Sequence, residues 1–554
     1  EIYTPKRVSI SLKNVEESLA VGDLIEVQAT LFPPPTPVMP QAYDFSRMFY
    51  YQQLGAVGYS PRTPVVLEKA DINNLEQKIN DLRLSITQRI LAPMTNENGW
   101  IAAALMVGEQ SGVSKDVSDV MRNSGIYHVL SISGLHMSLA AMLVFFSTRF
   151  LLSLYPPLAL RVSTKKIAAI VALLSSFAYL LLAGYPVPAV RSFIMVAAVM
   201  VAVLFDRSGI SIFSIAWAAV IILLWQPESL LGASFQLSFS ATLGIIAFYE
   251  RFSGVLHKAN IGYWHKIWLY FMGIMFTSLV ATLATTPLVI YHFNRYTLWG
   301  IIANMLLMPL VSMWVMPAAV IAFIMMPFAL EYYPLVALDY GISIMMRGAR
   351  MFNEFPYASI SMPPPNFWGI ILAVFGGLWL VIWQKKLRIM GVPLIIIGVA
   401  TIWLHKPYDI LISNNASKVA VRLENGEFLF MRGKDDSFDG QVWLRYHGKE
   451  KGLSFKDIDK EIGDCNKRKC TISAYDRKIV ATKGKKELEA SCDGNPDIII
   501  SQNYLDRIPS CKQVPLLFDK AYIRKNGATA LRFKNGKIDI ENSKEFRGDR
   551  PWVN

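Results

Sequence analysis

Residues 128–139, HVLSISGLHMSL, put two histidines, three serines and a glycine at the mouth of a long apolar stretch. In lipid such groups are costly unless they face protein or a water-filled cavity, so His128 and His136 are expected to point inward. Gly134 lies between them. The run SISG, with Ser131 and Ser133, can interrupt a helix and leave backbone groups for water or a polyanion to satisfy. The plainer alternative is that both histidines only hydrogen-bond neighbouring helices. Further along, Arg191 at the outer end of a span could meet a phosphate or snorkel to water, and the residues alone favour snorkelling. Gln236 in SFQLSFS could line a polar route or tie helices together. Thr282, Thr285 and Thr286 give a hydroxyl-bearing face before Pro287, although threonines often bond back to their own helix. Asn304 with Pro309 points to a kink. Two basic runs, CNKRKC with Lys467, Arg468 and Lys469 and KGKKE with Lys483, Lys485 and Lys486, could contact phosphates or form a solvated charged face.

Something must hold these groups in place, and composition says what. The 554 residues are 53% hydrophobic and only 18% charged, with positive mean hydropathy, a balance that makes membrane residence the default. Apolar stretches long enough to span a bilayer recur between residues 128 and 404. Spans are expected near 128–155, 167–184, 190–205, 210–226, 230–249, 267–290, 298–325, 335–350, 366–383 and 389–404. Under this division Arg161, Lys165, Lys166, Arg207, Arg251, Lys258, Lys266, Lys385, Lys386 and Arg388 fall on one side, while the other side's short loops hold mainly Arg191 and Arg295. The positive-inside rule assigns the first set to the cytoplasm, so the first span runs inward, the last outward, and both polar flanks face outside. Asp339, Arg347 and Arg350 make 335–350 the weak span; were it re-entrant, the tail's side would change. The chain begins at Glu1 without a signal-peptide pattern, so it is expected to be truncated or processed at its front.

In the first flank, Val8, Ile10 and Leu12 alternate, as do Ile25, Val27, Ala29 and Leu31, the period of half-buried strands in a small β domain. PPPTPVMP (33–40) ends any strand and is expected to be a stiff connection. Leu75, Ile79, Leu82, Ile86 and Ile90 then mark an amphipathic helix that must lie on something, a membrane surface or the β domain. The tail from Pro407 reads as strands. Val419, Val421 and Leu423 precede Asn425-Gly426, with Phe428 and Phe430 beyond, a hairpin on a tight turn, and Asn526-Gly527 and Asn535-Gly536 repeat the signal. PDIIIS (496–501) resembles a strand covered on both faces. All four cysteines are here. An outside location permits Cys465–Cys470 and Cys492–Cys511 disulfides, although four cysteines allow three pairings. A zinc site lacks paired CxxC units and a nearby histidine, and free thiols are the remaining alternative.

SGIYHVLSISGLHMSL, with ALMVGEQSGVS upstream, closely resembles the signature of the ComEC competence family, membrane channel proteins of natural DNA uptake. VPAVRSFIM (187–195), GASFQLSFSATLG (232–244) and ATTPLVIYHFNRYTLWGIIANMLLMP (284–309) look like that family's later membrane motifs. GDLIEVQATLFPPPTPVMPQAYDFSRMFYYQQLGAVG (22–58) is similar to the end of its external OB-fold domain, which further helices precede in that family. The tail, ending in RGDRPW (547–552), is similar to the metallo-β-lactamase-like domain of some members. An active domain of that type uses an HxHxDH segment to hold two metals and activate water. The tail has His447 as its one histidine, so the resemblance implies a degenerate domain without metal.

The expected fold is a polytopic α-helical membrane protein. An OB-like β domain covers 1–66, an amphipathic helical connector 67–125, the transmembrane domain 126–405 and a strand-rich α/β domain, metallo-β-lactamase-like and degenerate, 407–554. The resemblance implies a channel for single-stranded DNA in the bacterial inner membrane, with both soluble domains outside the cytoplasm. Its path or gate would run by His128, Ser131, Ser133, Gly134, His136, Arg191, Gln236 and Asn304. The net charge of +13 suits an anionic ligand but also anionic lipid. Phe45, Phe49, Tyr50 and Tyr51 could stack on bases or anchor in a membrane. Moving phosphate inward against an inside-negative potential costs up to ~2.3 kcal/mol per charge per 100 mV, and the sequence has no GxxxxGK[ST] loop to supply work. The expected partners are therefore the strand, the bilayer, an external DNA receptor, cytosolic DNA-binding proteins or an ATPase, and a second copy of the chain, with no cofactor. A nuclease for the non-imported strand and a secondary carrier for a small anion are the alternatives.

Overall fold

The computed structural model describes residues 5–12, 19, 22–69, 75–94, 96–207, 211–256, 262–383, 385–456, 463–505, 508, 511, 513–534 and 536–553. Lys258 and Asn535 lie outside the described residues. The first flank contains β1 (Val8–Leu12), β2 (Leu24–Glu26), β3 (Thr30–Phe32), α1 (Phe45–Tyr51), β4 (Ala56–Ser60) and β5 (Val65–Glu68). β1 pairs in parallel with β4, which pairs antiparallel with β3; β2 pairs separately with β5. The single strand expected over Ile25–Leu31 is thus two, because the chain passes from one sheet to the other at 27–29.

The helical region comprises α2 (Leu75–Leu91), α3 (Asn96–Val107), α4 (Lys115–Asn123), α5 (Gly134–Ser153), α6 (Pro156–Arg161), α7 (Thr164–Leu182), α8 (Val187–Leu204), α9 (Ile212–Trp225), α10 (Ala233–Leu256) and α11 (Tyr263–Phe293). A short strand β6 (Arg295–Tyr296) follows, then α12 (Gly300–Leu310), α13 (Met316–Met325), α14 (Tyr332–Glu354), β7 (Ile360–Ser361), α15 (Phe367–Ile382) and α16 (Gly391–Ala400). Helix occupies each of the ten expected stretches. Among the described residues six segments are long and apolar enough to cross a membrane: Gly134–Ser153, Thr164–Leu182, Val187–Leu204, Phe271–Phe293, Gly300–Phe328 and Lys386–Leu404. α9 and α15 are shorter and apolar. Large apolar side chains such as Phe213, Trp217, Leu224 and Trp225 stand exposed on them, a surface that water would not tolerate but lipid does. The chain is a polytopic helical membrane protein.

Contacts between helix ends show an alternating up-and-down path. Lys166 at the start of α7 bridges Asp206 just past α8 at 2.7 Å. At the opposite end, the starts of α5, α8 and α10 meet the end of α11, as described below. β6 after α11 pairs with β7 after α14, so α14 returns the chain to this same end instead of turning back. α14 nevertheless buries one whole face, Leu335, Leu338, Ile342, Met345 and Ala349, in a core shared with α3, α4, α12 and α13. α3 is buried there on every side from Ile101 to Val107. α2 lies on α3 and α7 through Ile86 and Ile90, while Leu75 and Leu82 stay exposed; its support is the helical core, not the β domain. Pro309 in α12 is followed by a wider π-type turn, Val311–Val315, which takes up the lost hydrogen bond without ending the helix. α15 and α16 pack backbone to backbone at Gly369, Gly376, Gly391 and Gly398; a Cβ on Gly376 would lie 2.6 Å from the Gly391 carbonyl oxygen.

The tail is two sheets face to face. β8 (Ile410–Ile412), β9 (Val419–Arg422), β10 (Phe428–Arg432), α17 (Phe438–Tyr446) and β11 (Leu453–Ser454) come first. β12 (Gly463–Cys465), β13 (Lys469–Ala474), β14 (Arg477–Thr482), α18 (Lys485–Cys492), β15 (Ile498–Ser501), β16 (Leu516–Phe518), α19 (Lys520–Asn526), β17 (Thr529–Lys534), β18 (Lys537–Asn542) and α20 (Ser543–Arg547) complete it. The orders are β11-β10-β9-β8-β17-β18 and β12-β13-β14-β15-β16. Ile410, Val421 and Leu429 of the first sheet meet Ile472, Ile479 and Ile500 of the second. Alternate residues of β15 face the other way, so Ile499 packs with Val480 under Leu505, Ile508 and Val514; the short apolar run is covered on both faces. Asn425-Gly426 makes the β9–β10 hairpin, with Gly426 at φ +81°. Asn526-Gly527 does not make one: Gly527, at φ +78°, ends α19. Disulfides join Cys465 to Cys470 and Cys492 to Cys511.

The proline-rich run is no free spacer. Met39 is buried against Phe430 and Trp443 of the tail, and Trp443 Nε1 donates to the Val38 carbonyl oxygen at 3.1 Å. Tyr446 donates to Gln41 Oε1 at 2.8 Å, and Arg547 Nε to Asp44 Oδ2 at 2.8 Å. The aromatics of α1 are engaged as well: Phe45 meets Phe438, and Tyr50 and Tyr51 meet Trp552. These are tail contacts, yet Tyr50 and Tyr51 stay 46% and 45% exposed. The two flanks therefore pack directly against each other.

Candidate functional site

The signature segment begins as a single 3-10 turn, Tyr127–Val129, continues extended, and becomes helical only at Gly134. The helix starts there because Ser133 and His136 form a reciprocal cap. The Ser133 backbone N–H donates to His136 Nδ1 at 3.2 Å, and the Ser133 hydroxyl lies 3.1 Å from the same nitrogen. The expected span from 128 thus loses its first six residues. His128 lies outside the helix and is exposed, whereas His136 is fully buried. His128 nevertheless sits deep among protein atoms, close enough to His136 for their charges to interact, so it meets water from within the end of the bundle.

With Nδ1 accepting from a backbone N–H, the His136 proton sits on Nε2. That Nε2–H is buried with no acceptor among the described residues. A Cβ on Gly134 would meet only Ser192 Oγ, at the ordinary contact distance of 3.6 Å, so the starts of α5 and α8 lie against each other while Gly134 itself is exposed. Arg191, one residue before Ser192, is 3% exposed. Snorkelling is therefore ruled out, because the helix start is packed inside the bundle. Arg191 Nη2 donates to Ser234 Oγ at 2.5 Å at the start of α10, while its Nε is buried without a partner among the described residues.

From α10, Gln236 Nε2 donates to the Leu230 carbonyl at 3.0 Å, and its Oε1 lies 2.8 Å from His292 Nε2 near the end of α11. Gln236 ties α10 to α11, as do Ser240, which donates to the Ala284 carbonyl, and Tyr249, whose hydroxyl bonds Thr277 Oγ1. Thr285 and Thr286 bond back to the carbonyls of Ala281 and Thr282. Asn304 Oδ1 is buried without a partner among the described residues. His136, Arg191 and Gln236 are thus held at one end of the bundle, where α5, α8 and α10 start. Three helix starts present the positive ends of their dipoles and two unpaired N–H donors, an arrangement suited to a negatively charged group. Ser192, Ser234 and His292 complete it; their only signal was that they lie inside the quoted motifs, since a serine or histidine in an apolar run has no periodicity.

The two basic runs of the tail adjoin each other. Lys483 N donates to the Arg468 carbonyl at 2.8 Å, so the β12–β13 turn carrying Lys467, Arg468 and Lys469 lies beside the end of β14. Arg468 is exposed and bridges Glu487 at 3.4 Å. The side chains of Lys485 and Lys486 lie outside those described. His447 has both ring nitrogens engaged: Nδ1 donates to the Trp443 carbonyl at 2.6 Å and Nε2 accepts from Tyr408 N at 3.0 Å. Among the described residues no group of three or more His, Cys, Asp or Glu could hold a metal ion.

The family model described as "Competence protein" matches residues 105–387. The chain is 26% identical over 302 residues to "ComE operon protein 3" of Bacillus subtilis, covering 54% of this chain and 35% of that one. It is 30% identical over 285 residues to "Competence protein ComA" of Neisseria gonorrhoeae, covering 50% and 37%. "Recombination protein 2" of Haemophilus influenzae is 26% identical over 230 residues, covering 40% and 27%. The chain spans about a third of the length of the curated relatives it matches. No solved structure matches it.

Proposed function

The chain belongs to the competence protein family, and from that premise we propose that it takes part in competence DNA uptake as a conduit for single-stranded DNA across the bacterial inner membrane. The observation that carries this reading is the pair of buried, unpartnered donors, His136 Nε2 and Arg191 Nε, beside the open face of Gly134. Buried N–H groups cost roughly 1–3 kcal/mol each when left unpaired. A site that keeps two of them between apolar helices is suited to a transient anionic guest such as a phosphodiester. The basic loops on the opposite end favour a cytoplasmic position for that end, and in this reading both flanks, the tail with its disulfides included, lie outside.

In this reading the first flank is an OB-like domain and the tail a metallo-β-lactamase-like domain without its metal. The tail's two facing sheets, helices on their outer faces and lack of an HxHxDH segment support that description. The tail receives or guides the strand. An external receptor delivers it, and cytosolic DNA-binding proteins or an ATPase supply the work. No observation favours the nuclease or the small-anion carrier.

The test is uptake of labelled DNA by competent cells carrying the wild-type chain, Gly134→Ala or Gly134→Leu at equal membrane levels. A methyl fits within ordinary contact distance of Ser192, whereas an isobutyl group fills the open face. The expected result is normal import with Ala and DNA held outside the cytoplasm with Leu. Equal import by both variants would refute the path.

A further inference from the structure

Where the bundle's signature end meets the tail, three arginines from three elements converge. Arg122 ends α4, and its guanidinium lies 4.7 Å from the Tyr127 ring. Tyr127 is 38% exposed and is followed by the exposed His128. Arg295 on β6 donates from Nη1 to Asn123 Oδ1 at 3.1 Å, which brings its head beside the residue next to Arg122. β6 pairs with β7, Arg295 opposite Ser361. The turn after α17 lies on β7: a Cβ on Gly448 would sit 3.5 Å from the Ser361 carbonyl oxygen. Arg445, three residues before that turn, donates from Nη2 to Gln441 Oε1 at 3.1 Å.

The pairing is incomplete. Arg122 has a carboxylate, Asp119 at 2.6 Å. Arg295 and Arg445 have only the neutral amide partners just named among the described residues, although each guanidinium carries five donors. Burial first, then the charges of Arg445 and Arg122, push Arg295 down to about 10, while Asp119 and Glu450 oppose this without cancelling it. Like charges held this close, with unused planar donors, fit a bidentate anionic acceptor. An exposed aromatic ring beside them suits a base.

Resting on the conduit reading above, we propose that Arg122, Arg295 and Arg445 bind the phosphodiester backbone of a single strand at the bundle's mouth, with Tyr127 stacking on a base. Helix α17 of the tail thereby contributes directly to the entry site. A nucleic-acid strand is favoured over an anionic lipid because the cluster lies between two protein elements and includes a base-sized ring, for which a lipid headgroup has no counterpart.

The test uses the full chain in phosphatidylcholine nanodiscs with a fluorescent thymidine 30-mer, its affinity followed from 50 to 200 mM salt. Three phosphate contacts on a single strand contribute about 2 to the log–log salt slope. Over that fourfold range the wild type is expected to lose roughly twentyfold more affinity than the chain with Arg122→Gln, Arg295→Gln and Arg445→Gln. Arg→Lys at all three positions should keep the slope. A second measurement needs no variant: ultraviolet cross-linking of a 5-iododeoxyuridine strand to the wild type should give an adduct at Tyr127.

Equal slopes with no Tyr127 adduct, while the wild type still binds the strand, would overturn the arginine site and leave the conduit reading standing. A wild type that binds no strand at all would sink both. Variants that bind the strand as the wild type does but retain less phosphatidylglycerol from mixed-lipid nanodiscs would overturn the strand site and identify a lipid site instead.

Discussion

Asp44→Ala is a direct probe of how the two flanks are held together. Asp44 Oδ1 accepts from Ser46 N at 3.0 Å and caps α1. Its Oδ2 accepts from Arg547 Nε at 2.8 Å and Trp552 Nε1 at 3.1 Å, across some five hundred residues of chain. The pair is enclosed, with side chains 17% and 7% exposed. Removing one partner of a buried ion pair costs about 3–5 kcal/mol, because the other charge is left unpaired, and losing an N-cap costs about 1 more. Arg547 keeps one bond, to the Trp552 carbonyl, so the lower figure applies, roughly 3 kcal/mol, or on the order of a hundredfold in an opening equilibrium. Hydrogen exchange on the purified full chain reads it directly. Amides of 543–553 and of α1 are expected to exchange on the order of a hundredfold faster in Asp44→Ala, while those of β15 stay unchanged. Asp44→Asn keeps a capping acceptor and should fall between. Adding Arg547→Met to Asp44→Ala should recover part of the loss, since the stranded charge is gone. Unchanged exchange in 543–553 for Asp44→Ala would mean that the flanks are held by the aromatic contacts alone.

Replacing Cys492 and Cys511 by serine opens a loop of 19 residues, about 3 kcal/mol by chain entropy, against about 2 for the five-residue loop of Cys465 and Cys470. Urea midpoints for protease resistance of the tail should fall in that order, and the reverse order would contradict the loop argument. His447 concerns pH. Burial pushes it down to about 3, so it is neutral in the fold but takes a proton in the unfolded chain below its ordinary 6.5. The unfolded state then binds more protons between about pH 3 and 6.5, and the stability His447 contributes, complete above 6.5, falls as pH drops through that window. His405, pushed down to about 4 by burial and Arg532, acts in the same direction. Thermal unfolding of the tail between pH 4 and 7 should show a shallower pH slope in His447→Gln, and an identical slope would show that another group governs acid lability.

The sequence by itself determined where lipid-crossing helices lie, that the signature is a polar interruption among them, and that the tail is built of strands. Each is a local matter: length of an apolar run, a period of two, or a serine cap three residues before a histidine acts within a few residues of itself. Tertiary structure decided what local signals leave open. Asn425-Gly426 and Asn526-Gly527 present the same dipeptide and the same need for positive φ, yet one turns a hairpin and the other stops a helix. The difference is that Asp519 caps α19 and Ile523 is buried beneath it. Arg191 reads as a snorkelling residue until α5 and α10 close around it, and the proline-rich run reads as a spacer until Met39 meets Trp443. His128 and His136 are equivalent in the string, and only the packing of α5 against α8 encloses one and leaves the other accessible to water. Contacts between residues hundreds of positions apart have no periodicity to announce them, because they are set by which faces remain to be covered once the local elements have formed.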